Sequence, residues 1–139
     1  MELTELVTRE RIRETVARYA HYADTGRFTE LVDLFTEDGV LEIHGRESLR
    51  GRAAILAFLT GAKTSLASTL QHPYIRHHVS SLTIDVHDAD TASAASYFLA
   101  ITERGPDHWG RYRDALRCAG ERWLFQHRTV RLDDRRVRE

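Results

Sequence analysis

Asp24 and His78 carry the residue types needed to move a proton on or off carbon. Asp24 closes the run Tyr19-Ala-His-Tyr-Ala-Asp24 just ahead of Thr25-Gly26, and His78 lies in Ile75-Arg-His-His-Val-Ser-Ser81. A carboxylate bonded to one imidazole nitrogen fixes the tautomer and leaves the other nitrogen as a general base. Tyr19, one and a half helical turns before Asp24, could donate a hydrogen bond into the same space. Arg128 could set a fixed positive charge beside a developing oxyanion or a departing group. Each residue also has a plainer reading. Asp24-Thr25-Gly26 suits an Asx-type turn, His78 a satisfied inward histidine, Tyr19 a core aromatic, and Arg128 a salt bridge to Asp or Glu.

Other chemistries fit less well. The eight histidines (21, 44, 72, 77, 78, 87, 108 and 127) include no His-Glu-x-x-His or comparable ligand spacing. His77 and His78, adjacent on a strand, point to opposite faces and cannot share one ion. Ser80 and Ser81 lack a Gly-x-Ser-x-Gly elbow. No metal and no cofactor is therefore expected.

The 139 residues suit one domain spanning 1–139, with 1–7 and 134–139 as peripheral tails. Hydrophobic residues make up 42% and charged residues 29%, an ordinary globular balance. Twenty basic residues against 21 acidic ones supply no basic field for nucleic acid. The locally basic run from Arg128 to Glu139 is of mixed sign and reads as a solvated tail. Cys118 is the one cysteine, so no internal disulfide can form; it reads as a buried thiol in a reducing, cytoplasmic setting. The N-terminus has neither a basic n-region nor an apolar h-region, and no apolar run approaches the ~20 residues that cross a bilayer.

The first half reads helical and the second half as strands, the order of an α+β fold. Ile12, Val16, Tyr19, Ala20 and Ala23 recur at helical spacing over about residues 4–24, and Gly26 supplies the stop. A second helix follows, with Phe28, Leu31, Val32 and Phe35 along one stripe. Asp38-Gly39 reads as a turn, 40–44 as a short strand, and 51–59 as the start of a third helix. Arg76–Val86, Thr91–Glu103, Trp109–Cys118 and Arg122–Leu132 alternate as successive antiparallel hairpins. Three helices covering the concave face of such a sheet leave a pocket between them. The loops 60–74 and 103–109 would set its size.

Alternation then assigns faces. His78 shares its parity with Leu82, Ile84 and Val86, so it should point inward and His77 outward; a bulge between 78 and 82 would reverse this. Tyr112, Asp114, Leu116 and Cys118 share one face, with Arg111, Arg113 and Arg117 on the solvent side. Arg128 goes with Leu124, Val130 and Leu132, opposite Trp123, Phe125 and His127. Tyr112, Asp114, Phe58 and Leu116 are candidates for the pocket wall.

In chain order these segments read Tyr-x4-Asp-x-Gly-x-Phe, Leu-Phe-Thr-Glu-Asp-Gly, Gly-Arg-x-Ala-Ile, His-His-Val, Gly-Arg-Tyr-Arg-Asp and Gly-x-x-Trp-x-Phe-x-x-Arg. Taken together, over about residues 8–133, the chain resembles the SnoaL-like family of the nuclear-transport-factor-2-like (NTF2-like, cystatin-like) α+β cones. The resemblance is nearest to the branch with scytalone dehydratase, bile acid 7α-dehydratase and hexachlorocyclohexane dehydrochlorinase. It implies a catalytic Asp-His pair on Asp24 and His78, with the tyrosine of the bile acid enzyme on Tyr19 and the last-strand arginine of the dehydrochlorinase on Arg128. Two features of scytalone dehydratase are missing. The tyrosine directly before the aspartate is Ala23 here, and its second pocket histidine has no clear equivalent near Tyr112 and Asp114.

The resemblance implies a cofactor-independent lyase or isomerase, a dehydratase or polyketide cyclase, acting on a small apolar polyketide-, steroid- or cyclic-like molecule. The family also contains non-catalytic members, so a small-ligand-binding or assembly module is the alternative. Members commonly pair through the outer sheet face, which implies a homodimer or homotrimer, with neither nucleic acid nor membrane as a partner.

Overall fold

The helix α1 (Leu3–Thr25) turns one stripe of side chains, Ile12, Val16 and Tyr19, into the core. In this computed structural model, which describes residues 1–137, it ends at Gly26 with φ 72°. The Arg27 N–H reaches back to the Tyr22 carbonyl at 2.9 Å, a Schellman closure that glycine's freedom at positive φ permits. That closure sets Asp24 in the last turn of the helix. A five-residue helix, α2 (Phe28–Val32), follows.

Phe35 does not continue the α2 stripe, as its spacing suggests. It opens strand β1 (Phe35–Ile43), where it lies opposite Phe125 of the last strand. Asp38-Gly39, expected as a turn, sits inside β1 at an irregularity between Phe35 and Val40. A Cβ at Gly39 would meet the Phe35 Cβ and the Thr36 carbonyl oxygen at 2.9 Å, so only glycine fits the fold-back there. The two-residue strand β2 (Leu49–Arg50) and helix α3 (Arg52–Ala67) come next. Strands β3 (Arg76–Val86), β4 (Thr91–Thr102), β5 (Gly105–Ala119) and β6 (Arg122–Arg135) complete the chain.

The six strands form one mixed sheet in the order β2-β1-β6-β5-β4-β3. Neighbours run antiparallel except β1 and β6, which are parallel. The helices lie on one face: α1 packs on β3 and β6, and α3 on β1 and β2. Ile12, Leu31, Phe35, Ile55, Phe125 and Leu116 are almost fully buried between the layers. Burial of a side chain of this size stabilises the fold by roughly 1.5–3 kcal/mol. The fold is the α+β arrangement expected.

Several boundaries differ from those legible in the alternation. Residues 3–7 are the first turns of α1, with Leu3 and Leu6 exposed, and β6 runs to Arg135. Both expected tails are therefore partly structured; residues 138 and 139 lie outside those described. The segment 103–109 is no long loop, since β5 begins at Gly105 and pairs at once with Thr102. Cys118 is half-buried, its thiol donating to the Gly120 carbonyl at 3.2 Å. Among the described residues, no helix is long and apolar enough to cross a membrane.

Candidate active site

Asp24 has an imidazole partner, and it is His77 rather than His78. The His77 Nδ1 lies 2.6 Å from one Asp24 oxygen, and the His77 backbone N–H donates to the other at 3.0 Å. The carboxylate thus clamps both the ring and the strand that carries it. This offsets the disfavoured position of a negative charge near a helix C-terminus. Nδ1 is committed to the carboxylate, so Nε2 is the nitrogen left to act on a ligand.

The reversal of the two histidines comes from a β-bulge. On β3 the pairing passes from Ser80↔Tyr97 to Thr83↔Ala95, which places one extra residue on β3. Ser81 takes it up at φ 53°, a left-handed conformation unusual for serine. Inward parity is therefore odd before the bulge (His77, Val79) and even after it (Ile84, Val86). His78 is exposed on the outer face, so its expected place beside Asp24 is corrected.

A second imidazole stands opposite. His108, on β5, has its ring centroid 6.0 Å from that of His77, at an interplanar angle of 76°. Its Nδ1 is 2.8 Å from Asp107 Oδ2. Another bulge makes adjacent residues partners: the pairing jumps from Ala100↔His108 to Ile101↔Pro106, leaving Asp107 as the extra residue. Burial, opposed by the Asp107 hydrogen bond and helped by the nearby His77, holds the His108 imidazole below its ordinary range. The sequence offered a signal for this pair in Asp107-His108, but Gly105-Pro106 just before it reads as a loop.

Phe98 closes the group, with its ring 6.3 Å from His77 and 5.9 Å from His108, and stacks on Tyr112 at 4.6 Å. The side chains of His77 and His108 keep 15% and 29% of their exposure, so the group lies at a partly open end of the concave face.

The remaining candidates lie deeper. Arg128 is fully buried, its Nε 3.0 Å from Asp114 Oδ1 across the β5–β6 pair. Its guanidinium carbon lies 3.5 Å from the Tyr112 ring centroid, 4.2 Å from that of Tyr19 and 4.6 Å from that of Phe125. Arg128 and Phe125 face inward together because a bulge between Ala115 and Leu116 leaves Gln126 extra on β6. The contact with Asp114 is close but off-line. Among the described residues, neither Asp114 oxygen and none of the three Arg128 nitrogens has an aligned hydrogen bond. Burial pushes the Asp114 carboxyl up to about 6 against the pull of Arg128, and raises both the Tyr19 and Tyr112 phenols. Leu116 is a core residue at 1% exposure, and Phe58 is a half-buried neighbour of the core. Asp114 and Leu116, expected as pocket wall, are thus packed under it.

Among the described residues, clefts also open away from the two rings, the second of those below reaching Phe98. One, of about 350 Å³, lies between α1, α2 and the β5–β6 turn; the other, of about 420 Å³, is lined by Tyr97, Trp109 and Arg111. Neither includes an imidazole of the pair. Around the first, Arg18 is matched to Glu14 and Arg122 to Asp33. The facing imidazoles are therefore the better candidate for chemistry.

The model of the SnoaL-like domain matches residues 4–129. The chain belongs to the SnoaL-like family. No curated protein matches it significantly. Solved structures extend the likeness to this SnoaL-like chain over most of its length. An NTF2-like protein with a cystatin-like fold from Novosphingobium aromaticivorans is 29% identical, over 96% of this chain and 91% of its own, with a TM-score of 0.80. A provisionally assigned scytalone dehydratase from the same organism is 27% identical, over 99% and 94%, with a TM-score of 0.82. A protein from Catenulispora acidiphila, solved in complex with S-DNPA, is 28% identical, over 91% and 93%, with a TM-score of 0.76.

Proposed function

We propose that this SnoaL-like protein is a cofactor-independent enzyme that removes a proton from carbon with His77, held by Asp24, in a small and largely apolar molecule. The observation that carries the reading is the double clamp of Asp24 on the ring and backbone of His77. It fixes the tautomer and leaves Nε2 as the ring nitrogen that meets a ligand. Asp24 then balances the imidazolium formed once the proton is taken, the role a buried carboxylate plays in hydrolytic triads.

The acidic carbon is one next to a carbonyl or one whose neighbour bears a leaving group. Its C–H electron pair becomes an enolate and then a carbon–carbon double bond as the bond to the leaving oxygen breaks. The proton on His77 Nε2 passes to that oxygen, and water departs. Returned to another carbon instead, the same proton gives isomerisation; attack of the enolate on a carbonyl within the molecule gives cyclisation. His108, held neutral by burial, supplies a second acceptor for a substrate hydroxyl. Tyr19 and Tyr112 keep their phenolic protons, and the Phe98–Tyr112 stack offers an apolar wall to a ring. Arg128 is a positioning residue, its charge committed to Asp114 and the rings around it.

Dehydration is the reaction favoured, because the provisionally assigned scytalone dehydratase covers nearly all of this chain. The structure with S-DNPA supports a small-molecule ligand for the fold. The test is turnover on a panel of aromatic polyketides, hydroxysteroids and halogenated cycloalkanes. Asp24→Asn and His77→Gln should each lower kcat/KM at least ~100-fold, and His78→Ala less than about threefold. A loss under tenfold in both dyad variants removes the dyad from the chemistry. Tight binding with no turnover of any bound compound would make the chain a ligand carrier.

A further inference from the structure

His77, Ala100 and His108 form one cross-strand row on the inner face: His77 pairs with Ala100, and Ala100 with His108. Neighbouring strands are about 4.8 Å apart, so the backbones that carry the two histidines are separated by roughly 10 Å. Their ring centroids are only 6.0 Å apart. The imidazoles therefore lean toward each other above the residue between them. That residue is a fully buried alanine. Each ring is held through its Nδ1 by a carboxylate, Asp24 for His77 and Asp107 for His108. Phe98, two residues along β4 and on the same face, stands against both rings. A β-branched side chain at position 100 would rise into the gap, because inward side chains stand roughly perpendicular to the sheet.

We propose that Ala100 is a positioning residue, whose lack of bulk lets the two imidazoles close over it and address a single ligand from both sides. The proposal rests on the reading of His77 as the base, and it adds a size rule. Alanine or a residue of similar volume keeps the rings in communication; a β-branched residue drives them apart. A ligand that fits must offer both imidazoles polar groups on neighbouring atoms, such as the acidic carbon and the hydroxyl of a β-hydroxy carbonyl compound.

The experiment is a double-mutant cycle read by NMR titration of His108. The charged groups that bear on His108 are Asp107, His77 and Arg135. Only the His77 contribution should depend on residue 100. With Ala100 in place, His77→Gln should raise the midpoint of His108, because a neighbouring like charge has been removed. In an Ala100→Val background the same change should move that midpoint by less than half as much, whereas Ala100→Ser should retain the full effect. Equal shifts in the wild-type and Ala100→Val backgrounds, or no shift with Ala100 in place, overturn the proposal. Should thermal melts show Ala100→Val unfolded, Ala100→Cys must give an intermediate reduction, and a full shift there is equally damaging. Turnover reports separately on the base: active Asp24→Asn enzyme with the cycle intact would remove the catalytic reading and leave the role of Ala100 standing.

Discussion

Arg128 and Asp114 are held together by charge in the core, and among the described residues no aligned hydrogen bond helps them. Removing one partner strands the other, so Asp114→Ala alone should cost about 3–5 kcal/mol in urea unfolding. The double change Asp114→Leu with Arg128→Met should recover most of that loss, because the pair as a unit contributes little. A double variant as unstable as the single one would argue that the guanidinium and its three rings stabilise the core directly. The buried titrating groups give opposite signs with pH. The native pKa of His108 is lowered, so its contribution is complete above about 6.5 and is lost as pH falls from there through the lower native value. Asp114 is raised from 3.8 to about 6, so the folded state takes up a proton in that window and gains stability as pH falls. Replacing His108 by Gln should therefore make the protein relatively more stable than wild type below pH 6.5 and no different in pH response above it, as melts across pH 5–8 would show. Asp24 was readable as a carboxylate in need of a partner, because helix-end electrostatics act locally. Which histidine answers it was not, because that depends on pairing with β4.

Bulges decide which side chains the strands present, and they are backbone events with faint sequence marks. Ser81 carries one at φ 53°, and no glycine announces it. Deleting Ser81 should remove the extra residue and set Leu82 opposite Ser96, leaving Ser80↔Tyr97, Thr83↔Ala95 and the inward place of His77 unchanged. In that background His77→Ala should still abolish activity and His78→Ala should still be tolerated, as in the intact chain. A reversed pattern would mean that the segment before the deletion has slid by one residue along β4. Gly110 marks another crowded point, since a Cβ there would run into the Arg131 carbonyl. Gly110→Ala should destabilise by about 1–3 kcal/mol, measured by urea unfolding. The long hairpins and α1 were legible because their periods of 2 and 3.6 are sustained over many residues. Phe35 was not, because its pairing with Phe125 overrides a helical spacing that is only locally satisfied.

The whole sheet is built around β6, which lies between β5 and the parallel strand β1 and brings Trp123, Phe125 and Arg128 into the core. A chain ending at Glu121 should lack a cooperative melt and be rapidly cut by protease; a protected fragment would show that β3–β5 with α1 fold independently. The α+β cone was readable from element order alone, because helices followed by hairpins leave few ways to cover one sheet face. The parallel β1–β6 pair was hidden, since nothing near either strand encodes a partner so distant. It has a price during synthesis. At 5–20 residues per second, a ribosome spends roughly 4–16 s between Ile43 and Arg122. Throughout that interval one edge of β1 waits as an unsatisfied ribbon of amides and carbonyls. Shielding of the nascent N-terminal third, by a chaperone or by the ribosome surface, is what this topology asks of the cell.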